Sequence, residues 1–305
     1  MTTTILLVAL AIFGLVFVYF FATDLIRNKE EWKDEQASLV GSGSAGLIAN
    51  FFDTLGIGSF APLTAMLRGF KQVDDRIIPG TLNVCCTIPV IYQAFLFISG
   101  VQVDPLTLVS MLAAATIGSY VGASKVSQLP TKKVQQVVAI ALLVTAVIFL
   151  LQQFNLFPSG GEATGLTGFK LVFAVAVNFV LGALMTAGIG LYAPCMALVY
   201  LLGMSPLVAF PIMMGSCAFL MPVASVKFIK EGAYSRKASL WITIFGAIGV
   251  FVAYNFVTSL DLYLLKWLVI AVVICTAMNL LRSAMRTETS AQKSAKRTRA
   301  VGANE

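Results

Sequence analysis

Histidine does not occur in this chain of 305 residues. Its absence removes imidazole metal sites, Ser-His-Asp triads and histidine proton shuttles together. Charge is also scarce: Asp, Glu, Lys and Arg make up 11% of the residues, against about 25% in soluble domains. The longest polar stretches are Asp24–Gln36 and the tail after Leu281, so no separate soluble domain fits. The five cysteines (Cys85, Cys86, Cys195, Cys217 and Cys275) lie in apolar segments without metal-ligand spacing and read as small buried hydrophobes. No basic n-region precedes the first apolar run, so Thr4–Ala22 reads as a retained signal-anchor helix. These absences argue against an enzyme, a metal centre and a cofactor site. Gly58-Ser59 could be imagined as a nucleophile loop, but no histidine or core lysine is available as its base.

What the chain has instead is apolar surface. Hydrophobic residues make up 58% of it, and apolar runs recur at about 4–22, 37–67, 77–99, 106–124, 134–153, 170–202, 206–226, 238–258 and 262–281. A spanning helix needs about 20 such residues. Two runs are too long: 37–67 and 170–202 would make straight helices of about 46–50 Å, against a hydrocarbon core of about 30 Å. Both contain the same string, Gly56-Ile57-Gly58-Ser59-Phe60-Ala61-Pro62 and Gly188-Ile189-Gly190-Leu191-Tyr192-Ala193-Pro194, 132 residues apart. At that offset Pro79 falls on Pro211 and Cys85 on Cys217. Matched broken helices in an internal repeat point to a secondary transporter and to its binding site.

The net charge of +7 would suggest nucleic acid in a soluble protein, but its placement gives a membrane topology instead. Basic loops are Arg27/Lys29/Lys33, Arg68/Lys71/Arg76, Lys125/Lys132/Lys133, Lys227/Lys230/Arg236/Lys237 and the tail from Arg282 to Arg299; the connections 100–105, 154–169, 203–205 and 259–261 have no Lys or Arg. If every run crossed once, loops 24–36 and 68–76 would face opposite sides. Making 37–67 and 170–202 re-entrant hairpins places 19 of the 21 basic residues on the cytoplasmic side, leaving Lys170 and Lys266 outside, as the positive-inside rule requires. The expected architecture is an all-α polytopic membrane protein. It is an inverted repeat, each half a re-entrant broken-helix hairpin plus three transmembrane helices, with one extra N-terminal helix. The expected divisions are 1–36 (anchor and cytoplasmic linker), 37–153 (repeat 1), 154–281 (repeat 2) and 282–305 (basic cytoplasmic tail). The N-terminus lies outside and the C-terminus in the cytoplasm of the inner or plasma membrane. Single crossings with parallel repeats are the competing topology.

The tips carry the expected chemistry. Glycine adopts positive φ without a Cβ penalty, so Gly56, Gly58, Gly188 and Gly190 suit sharp reversals. Pro62 and Pro194 then fall in the first turn of each returning half-helix. Two half-helix N-termini, starting near Ser59 and Leu191, would present free N–H groups and positive dipole ends to an anion at the midplane. Candidate substrate-binding residues are Gly56, Gly58, Ser59, Asn83, Gly188, Gly190, Tyr192 and Ser216. Asp53, the one carboxylate inside a core segment, is the candidate for proton coupling, because intramembrane ionisable groups are costly and usually functional. Its competing role is a structural acceptor for local backbone, and the offset places Met185 at its counterpart. The bland alternative for the glycines is close helix packing.

On Gly56-Ile57-Gly58 with Pro62, Gly188-Ile189-Gly190 with Pro194, and the Pro79/Pro211 helix starts, the chain resembles the TauE/SafE family of bacterial anion exporters over about 37–281. The resemblance implies export of small anions such as sulfite or organosulfonates. The tips depart from it in having few glycines, with Ser59-Phe60 and Leu191-Tyr192 following the strings, and in the leading helix. The expected partners are a small anion, coupled protons and the lipid bilayer, with no nucleic acid and no cofactor. The alternative is a carrier or channel for a cation or neutral solute.

Overall fold

The first overlong apolar run is broken at its glycine string, and in the second one helix ends at Met185 and the next starts at Tyr192. The computed structural model describes residues 2–33, 35–74, 76–125, 161–185 and 191–301, with scattered residues between 136 and 154. In chain order the described helices are α1 (Thr2–Arg27), α2 (Lys29–Lys33), α3 (Leu39–Thr54), α4 (Phe60–Gly69), α5 (Ile78–Gly100), α6 (Pro105–Lys125), α7 (Gly168–Met185), α8 (Tyr192–Leu201), α9 (Ala209–Lys230), α10 (Arg236–Ser259) and α11 (Leu262–Val301). Among the described residues there is no strand, only an isolated bridge between Ala163 and Met204. The run at 134–153 falls largely outside them, as do Gly188 and Gly190. Among the described residues five helical stretches are long and apolar enough to cross a membrane: Thr3–Arg27, Ile78–Gly100, Gly168–Met185, Pro206–Lys230 and Arg236–Ser259.

The run 37–67 becomes α3 and α4, with the reversal at 55–59. Gly56 has φ +94° and Gly58 φ +90°, a region that favours glycine. The N-caps of α4 and α8 are Ser59 and Leu191, so Pro62 and Pro194 each stand third in their helix. The outer ends of each broken pair come together. Ser38, the N-cap of α3, donates from its N–H to Gln72 Oε1 at 2.7 Å, just past the end of α4. Lys170, near the start of α7, donates to the carbonyl of Leu202 at 3.0 Å, just past the end of α8.

Packing relates the two halves. α3 lies along α10 and α7 along α6, the two closest helix pairs. Each seam is made by glycines against backbone: a methyl at Gly46 would meet the Ile242 Cα at 2.7 Å, and one at Gly182 the Ala115 carbonyl at 2.1 Å. Lipid supplies no hydrophobic drive between helices, so small residues that admit close van der Waals contact hold such pairs. α5 and α9, whose proline starts share the 132-residue offset, run antiparallel. Gly80 faces the carbonyl of Ala233, the Thr87 and Ser225 hydroxyls are 2.7 Å apart, and Phe97 stacks on Phe210 with centroids 4.9 Å apart. Pro89 interrupts α5 and leaves the Cys85 carbonyl without its i+4 donor. Thr243 of α10 donates to that carbonyl at 3.0 Å, as a break inside apolar surroundings requires.

Loops sort by charge. The linker, the 68–76 loop and the 231–235 turn meet around a cavity of about 710 Å³ lined by Glu35, Arg68, Lys71, Asp74, Tyr234 and Arg236 among others. Glu35 accepts from the Ser235 hydroxyl and from the N–H groups of Arg236 and Lys237, both at 3.1 Å, capping the N-terminus of α10. Asp24 of α1 takes the Arg236 guanidinium and the Tyr234 hydroxyl, each at 2.6 Å. Burial, reinforced by the Asp24 bond, pushes the Tyr234 phenol well up, so it stays a donor. The connections without Lys or Arg meet elsewhere: Asp104 N–H donates to the Thr164 carbonyl and Ser205 N–H to the Ala163 carbonyl, both at 2.9 Å.

This sorting predicts labelling. With the five cysteines of the chain buried or half-buried, new cysteines at the exposed positions Glu162 and Asp261 should react with a membrane-impermeant maleimide from outside intact cells. Those at Arg76 and Glu231 should react only after the membrane is opened. Labelling of Glu162 and Asp261 from opposite sides would restore single crossings.

Candidate functional site

The starts of α4 and α8 border one cavity of about 100 Å³, lined by Asp53, Ile57, Gly58, Ser59, Phe60, Val90, Met185, Leu191, Tyr192, Ala193, Cys217, Met221 and Thr276. That is the liquid volume of about three waters, room for one small solute and far below the roughly 300–1,000 Å³ of pockets for drug-sized ligands. The larger cavity beside Arg68 is open, and neither helix start lines it. Among the described residues Asp53 is the one acidic side chain that lines the smaller cavity, and no lysine or arginine lines it.

A chain of hydrogen bonds joins the two tips. Asp53 Oδ1 accepts from the Ser59 N–H at 2.6 Å, so the carboxylate caps α4 across the reversal. Asp53 Oδ2 accepts from Gln93 Nε2 at 2.9 Å, and the same amide nitrogen donates to Thr54 Oγ1 at 3.1 Å. Gln93 Oε1 accepts from the Tyr192 hydroxyl at 3.2 Å. All of these side chains are buried. Gln93 on α5 thus bridges Asp53, before the first tip, and Tyr192, after the second.

Of the residues expected at the site, Asp53, Gly58, Ser59 and Tyr192 meet at this cavity; Gly188 and Gly190 lie outside the described residues. Gly56 is adjacent but turned away, and a methyl there would meet Met196 Cε at 2.7 Å. Asn83 donates to its own helix at the Pro79 carbonyl, 2.9 Å. Ser216 likewise donates to the Ile212 carbonyl at 2.7 Å, and its oxygen lies 3.4 Å from Asn178 Nδ2. Neither lines the cavity. Cys217 does, its thiol 3.5 Å from the Met185 sulfur. Pro62 and Pro194 stand in the first turns of α4 and α8.

Two functional candidates were not singled out by sequence. Gln93 is a lone glutamine within the apolar run 77–99, a signal that was available; at the 132-residue offset it falls on Ser225, so the repeat does not mark it. Thr276 of α11 lines the cavity, and its buried hydroxyl has no hydrogen-bond partner. A buried hydroxyl without a partner costs free energy. The cavity is thus bordered by the starts of two helices, whose first-turn N–H groups lack intrahelical partners, and by Thr276. Among the described residues no group of His, Cys, Asp and Glu could hold a metal ion.

Residues 1–149 match the family model described as Sulfite exporter TauE/SafE, the family that the sequence resembles. The match covers 149 of the 305 residues, just under half, and it begins at residue 1. The leading helix, expected to stand outside the likeness, therefore lies within it. No curated protein and no solved structure matches the chain. Together with the apolar helices, the match makes this a multi-pass membrane protein.

Two stability predictions follow from the cavity. Gly58→Val meets nothing within 4 Å but must hold φ +90°, a strain of about 1–3 kcal/mol. It should lower the unfolding midpoint in detergent, while Gly69→Val, equally uncrowded and without positive φ, should not. Thr276→Val removes an orphan hydroxyl, whose burial costs about 1–3 kcal/mol, and should raise the midpoint of the ligand-free protein.

Proposed function

We propose that this chain is a secondary transporter that exports small sulfur oxyanions, such as sulfite or organosulfonates, across the inner membrane. The anion binds near the midplane between the starts of α4 and α8. The observation that carries the reading is that two helix N-termini border one small cavity at which, among the described residues, no basic side chain stands. Helix N-termini offer oriented N–H groups and a positive dipole end, which suffice for an anion. The match over residues 1–149 supports the substrate class. The antiparallel course of α5 and α9 supports an inverted repeat, and the paired ends of the broken helices support re-entrant hairpins. The gathering of basic loops at one end supports the orientation, with the C-terminus in the cytoplasm.

Asp53 is the proton site in this reading. Ionised, it would repel a bound anion. Two unit charges about 5 Å apart at an effective dielectric of about 20 interact by about 3 kcal/mol, roughly a hundredfold in affinity. Protonation removes that repulsion, so anion binding takes up a proton and weakens as pH rises. The same carboxylate, with the Thr276 oxygen, supports the second reading, a cation or neutral solute, which direct binding separates.

The test is transport by purified protein in liposomes loaded with labelled sulfoacetate, sulfite or acetate. Wild-type protein should move the sulfur oxyanions and respond to a pH gradient. Asp53→Asn should retain exchange at equal pH and lose the gradient response. If pH dependence survives in Asp53→Asn, the carboxylate is only the cap of α4. Tighter binding of sodium or potassium than of any of these anions would overturn the anion site.

A further inference from the structure

Gln93 sits between the one carboxylate of the cavity and the phenol across from it, and its two amide ends are chemically unlike. A carboxylate offers only acceptors, so with Asp53 ionised the amide must turn its NH₂ toward Oδ2. That is the arrangement seen, with Nε2 2.9 Å from Oδ2. The amide oxygen is then left facing Tyr192 and takes its only hydroxyl proton at 3.2 Å. Tyr192 lines the cavity but has no proton to give a solute there. The titratable groups around Asp53 are Tyr192 of α8, Cys217 of α9 and, beyond Tyr192, Cys86 of α5; no basic side chain takes part.

We infer that Gln93 is a positioning residue that relays the protonation state of Asp53 to Tyr192 by reversing its amide. The inference rests on the anion-site reading and goes past it in naming how the two tips communicate. When a proton from water adds to Asp53 Oδ2, the carboxyl becomes a donor and is satisfied by an amide oxygen rather than an amide NH₂. Gln93 reverses, and its Oε1 accepts from Asp53. Thr54 Oγ1, which donates to the Asn50 carbonyl at 2.8 Å, can turn its proton to the same oxygen. Gln93 Nε2 now faces the Tyr192 oxygen and donates to it. The phenolic proton, no longer held by the amide, turns to the cavity side, where Cys217 is the hydroxyl's other hydrogen-bond neighbour and an anion takes it beside the two helix starts and Thr276. The O–H formed on Asp53 replaces one broken in the hydronium that delivers the proton, and no other covalent bond changes. Protonation within the first hairpin thus adds a donor on the second.

The distinguishing measurement is the pH dependence of the Tyr192 contribution. The probe is isethionate, a sulfonate whose charge is constant from pH 5 to pH 9, titrated calorimetrically into the purified full-length protein. Tyr192→Phe should weaken binding about tenfold at pH 5 and leave it equal to wild type at pH 9, where the phenolic proton is held by Gln93. In a Gln93→Met background the phenol is never held, so adding Tyr192→Phe should cost about tenfold at both pH values. An equal loss at both pH values in the wild-type background, or no loss at either, overturns the relay while leaving the anion site standing. If the wild type binds none of isethionate, sulfite or sulfoacetate at either pH, the anion site falls and the relay with it. Should Gln93→Met fail to fold, the Tyr192→Phe comparison at two pH values decides alone.

Discussion

A break in an apolar helix exposes backbone that its surroundings cannot solvate, and the described residues are arranged to cover such breaks. At the first, Asp53 reaches across the reversal to take the Ser59 N–H, and Gln93 satisfies the other carboxylate oxygen. The dipole end of α4 is therefore part capped and part open to a cavity. A fully satisfied end would bind nothing, and a fully open one would be unstable in an apolar interior. The single carboxylate serves both needs.

Close packing does the rest. α3 on α10 and α7 on α6 are locked by glycines that touch backbone, and α5 against α9 is pinned by Thr87 with Ser225 and by the Phe97–Phe210 stack. The half that supplies α3 or α7 is not the half that supplies its long packing partner. A displacement of α3 or α7 must therefore move a helix belonging to the other half, a geometry that suits the transport proposed above.

Much of this was legible in the residues. Excess length and the Gly-x-Gly string located the first break, and glycine and proline chemistry placed the half-helix starts at Ser59 and Leu191, the N-caps found. The distribution of Lys and Arg grouped the linker, the 68–76 loop and the 231–235 turn, which meet around one cavity. What could not be read was which polar side chains face the cavity. Asn83 and Ser216 look like ligands in an apolar run, yet each can donate to a carbonyl four residues back in its own helix, and sequence does not tell such self-satisfied groups from available ones. Thr276 is the reverse case, significant only because its neighbours leave its hydroxyl alone. Gln93 was visible as a polar residue, but its meaning depends on having Asp53 at one end and Tyr192 at the other.

The Glu35 cap on α10 bears on assembly. Asp24 and Glu35 leave the ribosome early, and their partners Tyr234, Ser235, Arg236 and Lys237 emerge about two hundred residues later. Until then both carboxylates wait in water at the membrane surface, a place where charge is cheap. When the 231–235 turn arrives, one contact closes the chain's first segment onto its second half and orders the start of α10, against which α3 must lie. The latch works as a completion signal: a chain cut short before Tyr234 leaves α3 without its groove and the first tip without its cover.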